Sequence, residues 1–143
     1  KSLLGRYRLM DLLLQKLAAV REQVETALAA QSPLEQFPEA EKDLREKWED
    51  ELKAATEAEY RRQRSELLLS VQWWLRDVWL QTLGSGGDLL NFPEISDTHT
   101  VSRRLSPDRA AANLRVIEQT QRLLHSNVQE GLALEVSLLK LQF

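Results

Sequence analysis

The stretch ELLLSVQWWLRDVWLQTL, from Glu66 to Leu83, decides the fold of this chain. It holds three of the four tryptophans of the sequence and contains neither glycine nor proline. Placed on a helix at 100° per residue, most of its large side chains fall on one broad apolar arc, which we predict to be the core of a helical domain. The arc comprises Leu67, Leu68, Val71, Trp74, Leu75, Val78 and Trp79.

Two helices of this sequence carry a second apolar stripe. In the first, Leu69, Trp73 and Leu80 fall together on the opposite, otherwise polar side. The last helix repeats the arrangement, with Leu132, Val136, Leu139 and Phe143 on one side and Leu134, Leu138 and Leu141 on the other. A central helix covered on both sides by its own chain would explain either stripe, but large exposed apolar patches usually mark binding partners. We predict a protein interface formed by Leu69, Trp73, Leu80, Leu134, Leu138 and Leu141.

The N-terminal half of the chain is also predicted to be helical. From Ser2 to Ala30 apolar residues recur at three- and four-residue steps, which indicates a long amphipathic helix that Pro33 and Pro38 interrupt. From Glu39 to Leu83 nothing breaks the helical pattern, which predicts one projecting helix or two helices joined by a kink. Because residues 39–64 are crowded with Glu, Asp, Lys and Arg, we predict that they form a charged, mostly solvated helical arm.

The remaining residues predict a loop and two further helices. Residues 84–87, Gly-Ser-Gly-Gly, lack the strand, the spacing and the lysine of a phosphate-binding loop and are predicted to cap the helix before them. Residues 89–104 are expected to be irregular with a short helical turn. Ser106-Pro107-Asp108 begins a helix that reaches about Ser126, and a last helix runs from about Val128 to the end. The predicted fold is an all-α bundle of about five helices with one long, partly projecting charged helix, in a single domain 1–143.

Composition excludes several classes of protein. The 143 residues include 19 Lys and Arg, 22 Asp and Glu and no cysteine, so disulfide frameworks, zinc ribbons and thiol catalysis are excluded. A net charge of −3 argues against a dedicated nucleic-acid binder. No apolar run approaches the ~20 residues of a membrane span, so we expect a soluble, cytoplasmic protein. Because it begins with Lys1 instead of Met, we expect a domain excised from a longer chain.

No residue pattern points to catalysis. The two histidines, His99 and His125, have no Glu or Asp three or four residues away, so the Glu-x-x-His pairs of a di-iron bundle are missing and surface or capping roles are favoured. The basic run at residues 61–64 follows an acidic stretch, which favours a solvated face over a phosphate site. We therefore predict no catalytic residues, no cofactor and no metal, and a chain that is not an enzyme.

Several short motifs resemble a known family. They are Leu89-Leu90-Asn91 after the glycine-rich break, Leu105-Ser106-Pro107, and Leu123-Leu124-x-x-Asn127-x-x-x-x-Leu132-Ala133-Leu134-Glu135-x-x-Leu138-Leu139-x-Leu141. Together with the Trp-rich helix that ends in Leu83-Gly84, they resemble the C-terminal domain of the delta prime subunits of the bacterial DNA polymerase III clamp loader. The gamma/tau subunits are the nearest relatives of that family. This chain departs from it after Asn127, where Val128-Gln129-Glu130 replaces the frequent Asn-x-Asn-Pro pattern.

The resemblance implies a helical collar domain, which joins the subunits that load the sliding clamp on DNA during replication. It implies gamma/tau and delta subunits as partners, at most indirect contact with DNA, and no membrane. It also implies an oligomerisation role without ATP hydrolysis in this subunit. The alternative is a free-standing helical scaffold or adaptor that binds proteins through the charged arm 39–64.

Overall fold

The computed structural model describes the backbone of residues 3–143 and the side chains from Tyr7 onward. Over this range it is helical without strands, which confirms the all-α prediction. Ser2, the predicted start of the first helix, lies outside the described residues. None of the described helices has both the length and the apolar character of a membrane span. The helices are α1 (Leu3–Gln31), α2 (Pro33–Gln36), α3 (Lys42–Thr82), α4 (Asp97–Ser102), α5 (Pro107–Leu124) and α6 (Glu130–Lys140), with a short 3-10 turn at Gly87–Leu89.

The chain divides into two compact units. Unit 1 comprises the residues up to Leu12 and those from Leu67 to Phe143, and unit 2 comprises Leu13–Glu66. Helices α1 and α3 each contribute to both units. Of the two arrangements predicted for residues 39–83, the structure shows the single helix, α3.

Unit 2 is built from two antiparallel helical segments. The Arg21 side chain of α1 donates to Glu57 of α3 at 2.7 Å, and its guanidinium lies 3.9 Å from the centre of the Tyr60 ring. Farther along α1, Leu28 lines the same pocket as Leu52 of α3. Since a later position in α1 meets an earlier one in α3, the two segments run in opposite directions. Residues 39–64 are therefore largely part of a helical hairpin.

The core of unit 1 contains much of the predicted apolar arc. Leu68, Leu75 and Val78 of α3 are almost completely buried. Val78 packs with Leu105 and Ala110, which joins α3 to α5 and to the turn before it. Four half-buried side chains close this cluster, namely Trp74, Trp79, Val101 and Phe143.

Local capping chemistry ends α3 as predicted. Gly84 has a φ of +73°, the left-handed conformation that glycine adopts without steric cost. The Gly84 amide donates to the carbonyl of Gln81 at 3.1 Å, and the Ser85 amide donates to the carbonyl of Leu80 at 3.0 Å. This is the pair of bonds of a Schellman cap, so the glycines end a helix as expected.

Helix α5 begins where the sequence predicts. The Ser106 hydroxyl accepts a hydrogen bond from the amide of Arg109 at 3.4 Å. Pro107 occupies the first helical position, where its missing amide hydrogen costs nothing.

The end of α6 differs from the prediction. The helix stops at Lys140, so the prediction of a helix to the last residue is wrong for residues 141–143. The physical reason is a pair of tertiary hydrogen bonds. Buried Asn113 donates from its Nδ2 to the Gln142 carbonyl at 2.7 Å, and its Oδ1 accepts from the Gln142 amide at 2.9 Å. These bonds hold the last residues against α5 at the expense of another helical turn.

A buried carboxylate fastens a loop to α3. Asp77 is fully buried, and its oxygens accept hydrogen bonds from the Asn91 amide at 3.0 Å, from Asn91 Nδ2 at 3.0 Å and from the Phe92 amide at 2.8 Å. The Arg76 guanidinium lies 3.6 Å from the same carboxylate. A buried charge is stable only when it is paired and hydrogen-bonded in this way.

Replacing Asp77 by Ala is expected to lower the free energy of unfolding by about 2–4 kcal/mol, because two backbone amides would lose a charged acceptor. Chemical denaturation followed by circular dichroism measures this change. Asp88→Ala, at an exposed loop position, is the matched control and is expected to change little. Equal stability of Asp77→Ala and the parent chain would show that Asp77 does not hold the loop.

Candidate functional site: exposed apolar surfaces

The first predicted surface lies on α3 and is exposed. Leu69 is 40% exposed and Trp73 is 46% exposed, and four residues separate them, so they are neighbours on one side of the helix. Leu80 lies on the same side two turns later and is half-buried. We call Leu69, Trp73 and Leu80 the outer stripe. The structure brings these three residues together as the sequence predicts, and their role in binding stays a prediction.

One arginine and two further exposed leucines of unit 1 accompany the outer stripe. Arg76 lies between Trp73 and Leu80 on this side of α3 and donates to the carbonyl of Leu89 at 3.0 Å. Leu89 is 57% exposed, and Leu83, just after the helix, is 50% exposed. The Asp77 bonds fix the neighbouring part of the same loop. An exposed tryptophan with an arginine beside it is a composition typical of protein interfaces.

The surface predicted on α6 is not exposed. Leu134, Leu138 and Leu141 are 1%, 8% and 3% exposed, so they belong to the core of unit 1. The prediction that these three leucines present an interface is corrected accordingly. Ala133 and Ser137, beside these leucines on α6, are buried as well, and α6 packs against α5.

Only part of the opposite stripe of α6 faces solvent, because Leu139 is half-buried and Phe143 packs against the core of unit 1. Leu132 is 54% exposed and Val136 is 40% exposed. The sequence carries a signal that distinguishes the two faces of α6. Ala133 and Ser137 lie beside the buried leucines, whereas Glu135 lies beside the exposed Leu132 and Val136. Small residues next to large apolar ones indicate a helix–helix contact better than the number of leucines does.

Unit 2 has an apolar pocket where α3 begins. The rings of Phe37 and Trp48 lie 6.2 Å apart, at an angle of 42°. Phe37 is 57% exposed and Leu44 is 41% exposed, and both line a pocket of about 430 Å³ with Trp48. The sequence pattern does not single out Phe37, because a lone aromatic residue between two prolines gives no periodic signal.

The ion pair between the two helices of unit 2 changes the titration of a carboxyl. The hydrogen bond from Arg21 lowers the pKa of Glu57 from its usual value of 4.5, and the charges of Arg21, Arg61 and Arg64 act in the same direction. Both partners of the pair are more than a third exposed, so water screens their attraction. The ion pair therefore contributes little to the stability of the helical hairpin.

The basic run at 61–64 is engaged by neighbouring groups. Arg62 donates to Glu59 and to Glu66, one turn away on either side. Hydrogen bonds from Arg62 and Gln63 lower the pKa of Glu59 to about 2. Arg64 is buried, with its guanidinium 5.8 Å from the Tyr60 ring. The exposed Arg61 and Arg62 agree with the predicted solvated face, whereas the buried Arg64 does not.

Both histidines lie on the surface. His99 and His125 are both exposed, and the Nδ1 of His125 lies 2.6 Å from the carbonyl of Gln121 near the end of α5. Among residues 7–143, no group of three or more His, Asp or Glu side chains is placed to share a metal ion.

Replacing Glu57 by Gln is expected to lower the free energy of unfolding at pH 7 by at most about 1 kcal/mol. Because the pKa of Glu57 is lower in the folded state than in the unfolded state, its contribution is present above pH 4.5 and is lost as the pH falls through the folded-state value. Denaturation of both proteins across this range measures the difference. Glu22→Gln, at an exposed position of α1, is the control. A difference that persists in acid would contradict the ion-pair explanation.

Comparison with known proteins adds no relative. No protein-family model, no curated protein and no solved structure matches this chain. Three features of the chain itself bear on its function, namely the outer stripe, the pocket of unit 2 and the motifs of the C-terminal half.

Proposed function

We propose that this chain is a non-catalytic assembly domain of a bacterial clamp loader, similar in role to the C-terminal domain of delta prime subunits. The motifs around Asn91, Pro107 and Asn127 support this proposal by resemblance. In this role the domain works in the cytoplasm, binds gamma/tau and delta subunits, and has at most indirect contact with DNA.

The observation that carries the proposal is the exposure of Trp73. Its neighbour Trp74 turns inward, donates to Thr98 at 3.0 Å and packs against the core of unit 1. Trp73, about 100° farther round the helix, is 46% exposed. One helix thus packs one tryptophan against its own unit and offers the next to solvent, which is the arrangement that an assembly domain requires.

The cost of this exposure argues for a partner. A large apolar side chain gains roughly 1.5–3 kcal/mol when it is buried completely, and tryptophan is among the residues most enriched at binding hot spots. Leu69, one turn away and 40% exposed, adds apolar surface at the same place. A flat contact centred on Trp73 would therefore gain from covering both residues.

Replacing Trp73 by Asp is expected to weaken association with the gamma/tau and delta subunits by at least about tenfold, because a charge would be buried in the contact. Native mass spectrometry of the chain mixed with these subunits from the same organism measures the loss of the hetero-oligomer. Circular dichroism is expected to be unchanged, since this side chain faces solvent.

Leu132→Asp is the matched control, because it places the same charge at an exposed leucine that belongs to neither the outer stripe nor the pocket of unit 2. It is expected to leave assembly intact. Undiminished assembly of Trp73→Asp would remove the outer stripe from the contact. A parent chain that forms no complex with these subunits would overturn the clamp-loader proposal.

A further inference from the structure

The pocket at the start of α3 is a second exposed apolar site, separate from the outer stripe. Its walls are the rings of Phe37 and Trp48 with Pro38, Ala40 and Leu44. Trp48 also lines a second pocket of about 210 Å³, which has apolar walls on α1 and α3. Two recesses therefore share Trp48, and each can take an apolar side chain.

The backbone around this pocket is held in place before any ligand binds. The Ser32 hydroxyl caps α2 by accepting from the Leu34 amide at 3.3 Å, and the Phe37 amide donates to the Pro33 carbonyl at 2.9 Å. Arg45 of α3 donates to the Pro38 carbonyl at 2.8 Å, so the loop is tied to the helix. A preorganised loop loses little conformational entropy on binding, which favours a binding site over a transient gap.

The charge around the pocket selects its occupant. Residues 35–51 contain eight acidic and three basic side chains. All three basic groups are engaged locally, Lys42 by Glu46, Lys47 by Glu51, and Arg45 by the Pro38 carbonyl. Six exposed carboxylates take no part in an ion pair among residues 7–143, namely Glu35, Glu39, Glu41, Asp43, Glu49 and Asp50. Glu39 lines the pocket itself, the other five lie on the same segment, and we call the six the acidic rim.

We propose that this pocket binds a basic, amphipathic polypeptide segment of a partner protein. Apolar side chains of the segment would enter the recesses beside Trp48, and its Lys and Arg side chains would pair with the acidic rim. The same rim repels nucleic acid and anionic lipid, which carry the wrong charge. The inference does not depend on the clamp-loader role, because the pocket belongs to unit 2 and the outer stripe to unit 1.

The test uses two fluorescein-labelled amphipathic helical peptides with identical leucine faces, one with a lysine polar face and the other with a glutamate polar face. Fluorescence anisotropy with the full chain measures their Kd. We expect the lysine peptide to bind and the glutamate peptide to bind at least about tenfold more weakly, with added salt weakening the lysine peptide. No binding of the lysine peptide, or equal binding of both peptides, would overturn the proposal.

Substitutions distinguish binding in the pocket from a general electrostatic attraction of the peptide to an acidic protein. Phe37→Ser and Leu44→Ser, at exposed positions, are each expected to raise the Kd of the lysine peptide about tenfold without changing helix content. Trp73→Asp is expected to have no effect, so failure here and failure of the assembly proposal remain distinguishable. A Kd that neither pocket variant changes would contradict the proposal.

A charge-matched pair of double variants completes the test. Glu39→Lys with Asp43→Lys reverses two rim charges, and Glu94→Lys with Glu118→Lys reverses two exposed charges of unit 1. Both doubles change the net charge equally, but only the rim double is expected to weaken binding strongly. Equal weakening by both would show that net charge alone attracts the peptide.

Discussion

The buried carboxylate of Asp77 is the interaction on which the arrangement of unit 1 depends. Asp77 lies in the apolar half of α3 and has no exposed surface. Its three hydrogen bonds all come from Asn91 and Phe92. A charge in this position fixes the rotation of α3, because turning the helix would remove its partners while leaving it buried. The inward direction of Trp74 and the outward direction of Trp73 follow from that fixed rotation.

The apolar half of α3, fixed in this way, presents two faces, one inside unit 1 and one to solvent. The inner face joins α3 to α5 through Val78, Leu105 and Ala110. The outer face keeps Leu69 and Trp73 exposed on a rigid helix instead of a mobile loop. A rigid exposed aromatic residue loses little entropy when a partner covers it, which is why we propose this face, and not the loop beside it, as the contact surface. The pocket of unit 2 offers a second apolar surface with a different, acidic surrounding.

Local rules predicted much of this fold, and packing decided what they could not. The glycine cap after Leu83 and the Ser106-Pro107 start of α5 follow from backbone chemistry that the sequence states directly. The faces of α6 do not, because both stripes are apolar and only the small neighbours Ala133 and Ser137 distinguish them. Tertiary bonds such as those of Asp77 and Asn113 join residues far apart in the sequence, so no periodic pattern could reveal them.

The most direct test of the outer stripe is hydroxyl-radical footprinting of the full chain, alone and mixed with gamma/tau and delta subunits of the same organism. The method measures the solvent exposure of individual side chains. In the free chain Trp73 is expected to react faster than Trp74, and in the complex Trp73 is expected to become protected while Phe37 keeps its rate. An unchanged rate for Trp73 in a complex that has formed would contradict the assignment of this face to assembly.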